Sequence, residues 1–371
     1  MFSLFAVLLP LIVASCTDHE ALTMAVGTYS DAFYVYRFDS RNGRVSSRGI
    51  FPEAPGAFTK APVRNPSYLT YKDGFIYAVS EMPDSTAAVT IWRFYGTFLS
   101  AAGSQPTGMP AGGEDPCYVS AGDGLLAVAN YSGGTLALYR LLPDGGIAPL
   151  DSLLHSCTGG PDLSRQAEPH VHCAVFTPDG KHLLFSEFSA DRIGIVDIDG
   201  QKVSGYRCAA QLHSDYGPRH LLFDDSGKHL YVIGELSGDV TVFDYSDGIL
   251  TEKQTVRADR VNARGAADIH LSPDGRFLYA SLRLQNDGIA VFKVGDDGTL
   301  TDVGYQNTGK HPRNFNITPD GRFLLVACRD ENAIEIYRRD ARTGLLDDTK
   351  RRIHTEKPVF VGWVPNKYTV H

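Results

Sequence analysis

The sequence has little that would bring the chain to a nucleic acid or a nucleotide. Its 371 residues include 35 Lys and Arg against 43 Asp and Glu, which gives a formal net charge of −8. Proteins that bind nucleic acid or anionic membranes usually carry an excess of basic side chains instead. The sequence also lacks a Gly-rich phosphate loop and a dinucleotide-binding motif. We therefore predict no nucleic-acid partner and no cofactor.

Two common hydrolase motifs and a metal-binding cysteine pattern are absent as well. The sequence has neither a GxSxG nucleophile elbow nor an HExxH helix. Apart from Cys16, five cysteines remain, an odd number without CxxC spacing, which argues against a disulfide framework and a zinc site. We predict no metal site and interpret these cysteines as buried small apolar side chains.

The N-terminal hydrophobic run is too short to span a bilayer. Residues 1–15 are apolar apart from two serines, contain no Lys or Arg and are interrupted by Pro10. The end of this run, Val13-Ala14-Ser15, together with Cys16, resembles a lipobox. We predict that residues 1–16 form a signal peptide with lipidation at Cys16, giving an exported bacterial lipoprotein, periplasmic or outer-membrane associated, whose only membrane contact is this anchor. If the segment is not processed, the protein is cytoplasmic.

A tight turn recurs along the rest of the chain. Its second residue is always Gly, and successive glycines are 50, 56, 47, 48 and 46 residues apart. Each turn precedes an apolar run, and an alternating strand follows about ten residues later. Asp-Gly suits a β-hairpin because Gly accepts a positive φ. The six turns are Asp73-Gly74, Asp123-Gly124, Asp179-Gly180, Ser226-Gly227, Asp274-Gly275 and Asp320-Gly321.

This period predicts an all-β chain folded as a seven-bladed β-propeller. Six turns give six blades, and residues 24–29 and 33–36 match the second and third strands of a seventh. Residues 358–363 resemble a first strand, so we expect the N- and C-terminal strands to pair and close the ring. Residues 17–371 then form a single domain. The alternative, an open sandwich with coincidental spacing, does not explain six matches.

Aligning the repeats on the turn glycine reveals two columns of polar residues. One column lies at the start of the first strands and the other where the second strands end, so both occupy one end of the predicted propeller. Single polar residues at strand ends are usually only solvated, but these columns combine Arg, His and Glu and differ from blade to blade. They predict an anion-binding site. The first column holds Ser67, Cys117, His172, Arg219, Ala267 and Arg313, and the second holds Glu81, Asn130, Glu187, Glu235, Arg283 and Arg329.

The sequence resembles the seven-bladed propeller lactonases, a family that includes propeller-type 6-phosphogluconolactonase and the related carboxymuconate-lactonising enzyme. The likeness runs from about Ala21 to Trp363. Its strongest parts are Gly217-Pro218-Arg219-His220, Gly234-Glu235-Leu236, the stretch from Ala266 to Arg276, and residues 312–316.

The resemblance implies hydrolysis of a small anionic sugar lactone, with His172, Arg219, Glu235 and Arg283 as the catalytic set. We predict Arg313, Arg329, Asn130 and His220 as substrate-binding residues. Glu187 is left outside the catalytic set because many relatives carry Asp there. Arginines could stabilise the oxyanion or clamp an anionic substituent, and His172 could act as general base.

Two other functions remain open. The same side chains could transfer protons in a lactonising cycloisomerase, or the propeller could bind an anion or carbohydrate without catalysis. The sequence does not indicate an oligomeric partner or the particular substrate.

Overall fold

The strands of the chain form seven antiparallel sheets arranged as the blades of a propeller. The computed structural model describes residues 21–46, 51–96, 98–107 and 113–365, and the sheets are those formed within these ranges. Blade 1 joins both ends of the chain and comprises β29 (Pro358–Val364), β1 (Leu22–Thr28), β2 (Ala32–Asp39), β3 (Arg44–Val45) and β4 (Ala57–Pro62). Residues 1–16, with the predicted signal peptide and Cys16, lie outside the described residues.

The other six blades each have four strands, which follow in chain order from the inner to the outer position. Blade 2 comprises β5 (Leu69–Lys72), β6 (Phe75–Ser80), β7 (Ala88–Phe94) and β8 (Leu99–Pro106). Blade 3 comprises β9 (Pro116–Ala121), β10 (Leu125–Asn130), β11 (Thr135–Leu141) and β12 (Ile147–His155). Blade 4 comprises β13 (Val171–Phe176), β14 (His182–Glu187), β15 (Arg192–Asp199) and β16 (Lys202–Gln211).

Blades 5 to 7 repeat this pattern. Blade 5 comprises β17 (Pro218–Phe223), β18 (His229–Gly234), β19 (Asp239–Ser246) and β20 (Ile249–Arg257). Blade 6 comprises β21 (Ala266–Leu271), β22 (Phe277–Leu282), β23 (Gly288–Val294) and β24 (Leu300–Asn307). Blade 7 comprises β25 (Pro312–Ile317), β26 (Phe323–Cys328), β27 (Ala333–Arg339) and β28 (Leu346–His354). Short 3-10 helices follow the second strands of blades 4 and 7, at Phe188–Ala190 and Arg329–Glu331.

The first and last strands of the propeller close the ring. Strand β29 pairs antiparallel with β1, with Met24 opposite Trp363 and Ala25 opposite Gly362. Each inner strand contacts the inner strand of the next blade, and β29 contacts both β25 and β5. The predicted closure is confirmed, because the C-terminal strand β29 supplies the inner strand of blade 1.

The six predicted turns are the hairpins between the first and second strands of blades 2 to 7. Their glycines all have positive φ, between +67° and +89°. In the turn of blade 4, Asp179 Oδ1 accepts hydrogen bonds from Thr177 Oγ1 and from the Lys181 backbone N–H. This combination of a left-handed Gly and an acceptor side chain is the reason Asp-Gly recurs along the sequence.

The hydrophobic core lies between neighbouring blades. Val242 of blade 5 packs in one cluster with Leu278 and Phe292 of blade 6, for example. The second strands β6, β10, β14, β22 and β26 are buried along their whole length, because both of their faces meet a neighbouring blade. The outer strand β16 is mostly exposed.

The cysteines do not all behave as expected. Cys117, Cys173 and Cys328 are buried, but Cys157 is half-buried in a loop and Cys208 is exposed on β16. The prediction that all five are buried is wrong for these two, because outer strands and loops of a propeller do not face a neighbouring blade. All five are free thiols.

None of the helices in the described part of the chain has the length and apolar character needed to cross a bilayer.

Candidate active site

A register shift at the start of the first strand positions the polar residues of the first column in blades 4, 5 and 7. In β17 the pairing steps from Pro218 to His220, which leaves Arg219 without a partner residue on β18. In β25 the pairing steps in the same way over Arg313, and in β13 a shift encloses His172. A bulge redirects a side chain out of the regular alternation of the strand. The start of the inner strand is therefore the place where these blades can carry different functional groups.

The Glu235 carboxylate binds three guanidinium groups. Its Oε2 accepts a hydrogen bond from Arg219 Nε at 2.8 Å and lies 3.1 Å from Arg283 Nη2, and its Oε1 accepts one from Arg165 Nη2 at 2.7 Å. Burial raises the pKa of Glu235, but the three guanidiniums outweigh burial and hold that pKa well below its usual range. We call these four residues the Glu235 cluster. It holds three positive charges against one negative charge, an excess that favours an anionic ligand.

Backbone carbonyls fix the two inner arginines of the cluster. Arg219 donates from Nη1 to the Ala267 carbonyl at 2.6 Å, and Arg283 donates from Nε to the Gly265 carbonyl at 2.8 Å. Burial lowers the pKa of Arg283 to about 9, so this side chain is still a cation at pH 7. Both guanidiniums are thus held in place as hydrogen-bond donors before any ligand arrives, which is the arrangement that stabilises developing negative charge.

His220 uses both of its ring nitrogens within the protein. Its Nδ1 lies 2.6 Å from Asp268 Oδ1, and its Nε2 lies 3.2 Å from Arg219 Nη1. Burial raises the pKa of Asp268, but the imidazoles of His270 and His220 outweigh burial and keep it well below its usual value. The Asp268 carboxylate therefore accepts the Nδ1 proton, and Nε2 is left to accept from Arg219. Both ring nitrogens of His220 are thus paired within the protein, and its role in binding substrate stays a prediction.

His172 lies beside this pair with an unsatisfied nitrogen. Its ring packs edge-on against His220 and Tyr131, with centroids 5.4 Å and 5.6 Å away. The buried Nδ1 has no hydrogen-bond partner among the described residues. Burial, and after it the positive charge of Arg219, lowers the pKa of His172 well below its ordinary value. His172 is therefore a neutral imidazole at pH 7, able to accept a proton.

Arg313 forms a second, more balanced group on blades 7, 1 and 2. Its guanidinium lies over the Tyr29 ring, 5.1 Å from the centroid, and its Nη2 is 3.9 Å from Glu81 Oε1. Glu81 also accepts hydrogen bonds from the Tyr29 hydroxyl, at 2.7 Å, and from Ser67. Because Glu81 already balances its charge, binding of substrate by Arg313 stays a prediction.

Besides Glu81, three further residues of the second column are not part of the Glu235 cluster. Asn130 is completely buried and donates to Thr135 Oγ1 at 3.0 Å, while its Oδ1 has no partner among the described residues. Arg329 pairs with its neighbour Asp330, with Nε 2.6 Å from Oδ1. Glu187 is fully buried against Arg192, whose Nε lies 2.6 Å from Oε2. Column position alone therefore does not decide where a side chain points.

Sequence reasoning missed two residues that contact the cluster. Arg165 belongs to the loop 156–170 between blades 3 and 4, a segment without a counterpart in the repeat. His311 directly precedes Pro312, and its Nε2 lies 3.5 Å from Arg283 Nη1. Burial, followed by the charge of Arg283, lowers the pKa of His311 to about 3. The motif around Arg313 could have drawn attention to His311, but no sequence signal marks Arg165.

Within the described ranges, no group of three or more His, Cys, Asp or Glu side chains is arranged to hold a metal ion. The Glu235 cluster, with three guanidiniums around one carboxylate, suits an anionic ligand better than a cation.

The buried histidines should make the stability of the protein depend on pH. The pKa of His220 is lowered to about 4 by burial and then by Arg219, and those of His172 and His311 are lowered too. Unfolded histidines titrate near 6.5. Between pH 6.5 and about 4 the unfolded chain binds protons that the folded chain does not. The unfolding free energy should therefore decrease as the pH is lowered, by up to about 1.4 kcal/mol per pH unit for each histidine.

Urea unfolding at pH 7 and pH 5 measures this dependence. His220→Gln should reduce the difference between the two pH values. Equal unfolding free energies at both pH values would contradict the account of neutral buried imidazoles.

Comparison with known proteins places the chain in a family. The family model described as "Lactonase, 7-bladed beta-propeller" matches residues 23–363. A curated 6-phosphogluconolactonase from Formosa agariphila is 35% identical over 246 residues, which cover 63% of this chain and 70% of that protein.

Two solved structures share the architecture over nearly the whole length. A Bacteroides uniformis protein described as a proposed 6-phosphogluconolactonase is 46% identical, with a TM-score of 0.87 over 93% of this chain and 100% of that one. A periplasmic gluconolactonase from Pseudomonas aeruginosa is 28% identical, with a TM-score of 0.83 over 93% and 99% of the two chains. The chain belongs to the seven-bladed β-propeller lactonases.

Proposed function

We propose that this protein hydrolyses a small anionic sugar lactone, as a 6-phosphogluconolactonase does, in a funnel at the propeller axis. The observation that carries the proposal is the Glu235 cluster, in which one carboxylate meets three guanidiniums beside the neutral imidazole of His172. The names of the relatives support the reaction class. Their names give different substrates, a phosphorylated and an unphosphorylated lactone. The cationic excess of this site favours an anionic lactone.

The reaction assigns a separate role to each group. His172 takes a proton from water through its Nε2 as the water oxygen attacks the lactone carbonyl carbon. Negative charge develops on the carbonyl oxygen, where Arg219 and Arg283 stabilise it. The tetrahedral intermediate then collapses, the bond to the ring oxygen breaks, and the protonated His172 returns the proton to that oxygen. The product is the open-chain hydroxy acid.

Glu235 keeps the arginines in place rather than acting as a base. With its pKa held well below the usual range, the carboxylate stays ionised and is a weak proton acceptor. Its two oxygens instead fix the directions of Arg219 Nε, Arg283 Nη2 and Arg165 Nη2.

Product analysis in ¹⁸O-labelled water tests the reaction class. Hydrolysis of glucono-1,5-lactone 6-phosphate should place one ¹⁸O in the product carboxylate and add the mass of one water. Conversion of a muconolactone into the open-chain muconate of unchanged formula, with no ¹⁸O incorporated, would favour the cycloisomerase. If the protein converts no lactone yet still binds gluconate 6-phosphate, it is a binding propeller.

We also propose that the protein is exported and held at a membrane through Cys16. The lipobox-like Val13-Ala14-Ser15-Cys16 supports this location, and the Pseudomonas relative is periplasmic. Cys16→Ser should move the protein from the membrane fraction to the soluble fraction of the native host, with Cys208→Ser as the matched control. An unprocessed N-terminus on the native protein would contradict export.

A further inference from the structure

Arg165 differs from the other arginines of the Glu235 cluster in where it comes from and what it leaves free. It lies on the loop 156–170, and its Nη2 makes both of its hydrogen bonds, to Glu235 Oε1 at 2.7 Å and to the Tyr131 hydroxyl at 3.2 Å. Its guanidinium carbon lies 5.2 Å from the centre of the Phe188 ring. The Nε and Nη1 groups have no hydrogen-bond partner among the described residues. The N–H donors on Nε and Nη1 are therefore available to a ligand.

Exposure ranks the three arginines in the order in which a ligand from solvent would meet them. The Arg165 side chain is 36% exposed, whereas Arg219 and Arg283 are 2% and 6% exposed. Glu235 already has both inner guanidiniums on its Oε2. The charge of Arg165 is thus not required to neutralise Glu235, and the cluster keeps its positive excess at the exposed end.

The loop does not depend on Arg165 for its position. Gln166 is almost completely buried and donates from Nε2 to the Phe188 carbonyl at 3.1 Å and to Asp191 Oδ1 at 2.7 Å. Asp162 is paired with Arg264, with Oδ2 2.6 Å from Nη2. If Arg165 served only to hold the loop in place, it would repeat what the contacts of Gln166 and Asp162 already do. Arg165 can release Glu235 or share it with a ligand while the loop stays in place.

We propose that Arg165 is a specificity-determining residue that recognises the anionic substituent of the lactone, a phosphate ester. This inference rests on the proposed function and extends it to the substrate class. A phosphate can accept separate charge-assisted hydrogen bonds from Nε and Nη1, and it can take a parallel pair from Nη1 and Nη2 when Nη2 releases Glu235. The inner arginines then face the lactone carbonyl, at the other end of the same small molecule.

The test compares two lactones that differ only in charge. The readout is the ratio of kcat/KM for glucono-1,5-lactone 6-phosphate to kcat/KM for glucono-1,5-lactone. In Arg165→Gln this ratio should fall roughly 10- to 100-fold, mainly through KM of the phosphorylated substrate, as expected for a lost pair of charge-assisted hydrogen bonds. The matched control is Arg260→Gln, which removes an exposed ion pair with Asp302 and should keep the wild-type ratio.

The outcomes separate this inference from the proposed function. A wild-type ratio near one, or a ratio that Arg165→Gln leaves unchanged, overturns the role of Arg165 while lactone hydrolysis stands. If the wild type hydrolyses neither lactone, the proposed function fails. In that case calorimetry tests Arg165 alone, through the ratio of the affinities for gluconate 6-phosphate and gluconate. A roughly 10- to 100-fold lower ratio in Arg165→Gln supports the inference, and an unchanged ratio overturns it.

Discussion

His172→Gln is expected to lower kcat for lactone hydrolysis by about a hundredfold or more, with KM nearly unchanged. The glutamine amide cannot accept a proton from water, and His172 makes no hydrogen bond through Nδ1 that would hold a ligand. Burial and Arg219 place the pKa of His172 well below its ordinary value. The acidic limb of the wild-type pH–rate profile should therefore lie below about 6.5 and be absent from the variant.

Steady-state kinetics from pH 4.5 to 8 measure this effect, with His213→Gln as a control that makes the same change at a half-exposed histidine. Both variants should show wild-type circular dichroism at pH 7. If His172→Gln hydrolyses the lactone at the wild-type rate, His172 is not the base. The role then passes to Glu235, or the protein is a binding propeller.

Arg219→Lys should lower kcat/KM by roughly a hundredfold or more, although it keeps the charge. The guanidinium spans two acceptors, Glu235 Oε2 from Nε and the Ala267 carbonyl from Nη1. A lysine ammonium is a single point on a flexible stem and lacks this fork. The variant would leave one of these buried acceptors without a donor and would lose the fixed direction toward the carbonyl oxygen of the substrate.

Arg257→Lys provides the control for this substitution. Arg257 is 53% exposed, pairs with Asp239 at 3.1 Å and lies on the outer strand of the same blade, so the change there should leave kcat/KM within twofold. Activity of Arg219→Lys within a few fold of the wild type would contradict a role for the guanidinium geometry.

The fold could be predicted from the sequence because each blade is a local unit. A left-handed glycine defines the hairpin of each of blades 2 to 7, preceded by Asp in five of them and by Ser226 in the sixth, and this chemistry is visible without tertiary information. The closing pair of β29 and β1 could also be predicted, since one blade lacked a first strand and the C-terminus supplied one. The exposure of Cys157 and Cys208 could not be predicted, because the burial of a residue in a propeller depends on which strand faces a neighbouring blade.

The candidate site could be predicted only in part. The columns located Arg219, Glu235 and Arg283, which the structure brings together, but they also included Glu187. Glu187 lies seven residues after its turn glycine and Glu235 lies eight, and one residue is enough to reverse the direction of a strand side chain. Arg165 could not be found, because loop residues that reach the axis have no repeat position.

The function of His220 shows a different limit of sequence reasoning. Its motif identified it as important, but the pairing with Asp268 spans 48 residues, and only the packing of neighbouring inner strands reveals it. His220 contacts Arg219 in the structure, and its role as a ligand contact stays a prediction.

The most direct measurement is the rate of ring opening of glucono-1,5-lactone 6-phosphate by the purified protein, compared with the spontaneous rate in the same buffer. The account predicts saturable acceleration by the wild type, and an acceleration at least about a hundredfold smaller with His172→Gln. A wild-type rate equal to the spontaneous one, on protein that is folded and binds gluconate 6-phosphate, would contradict it.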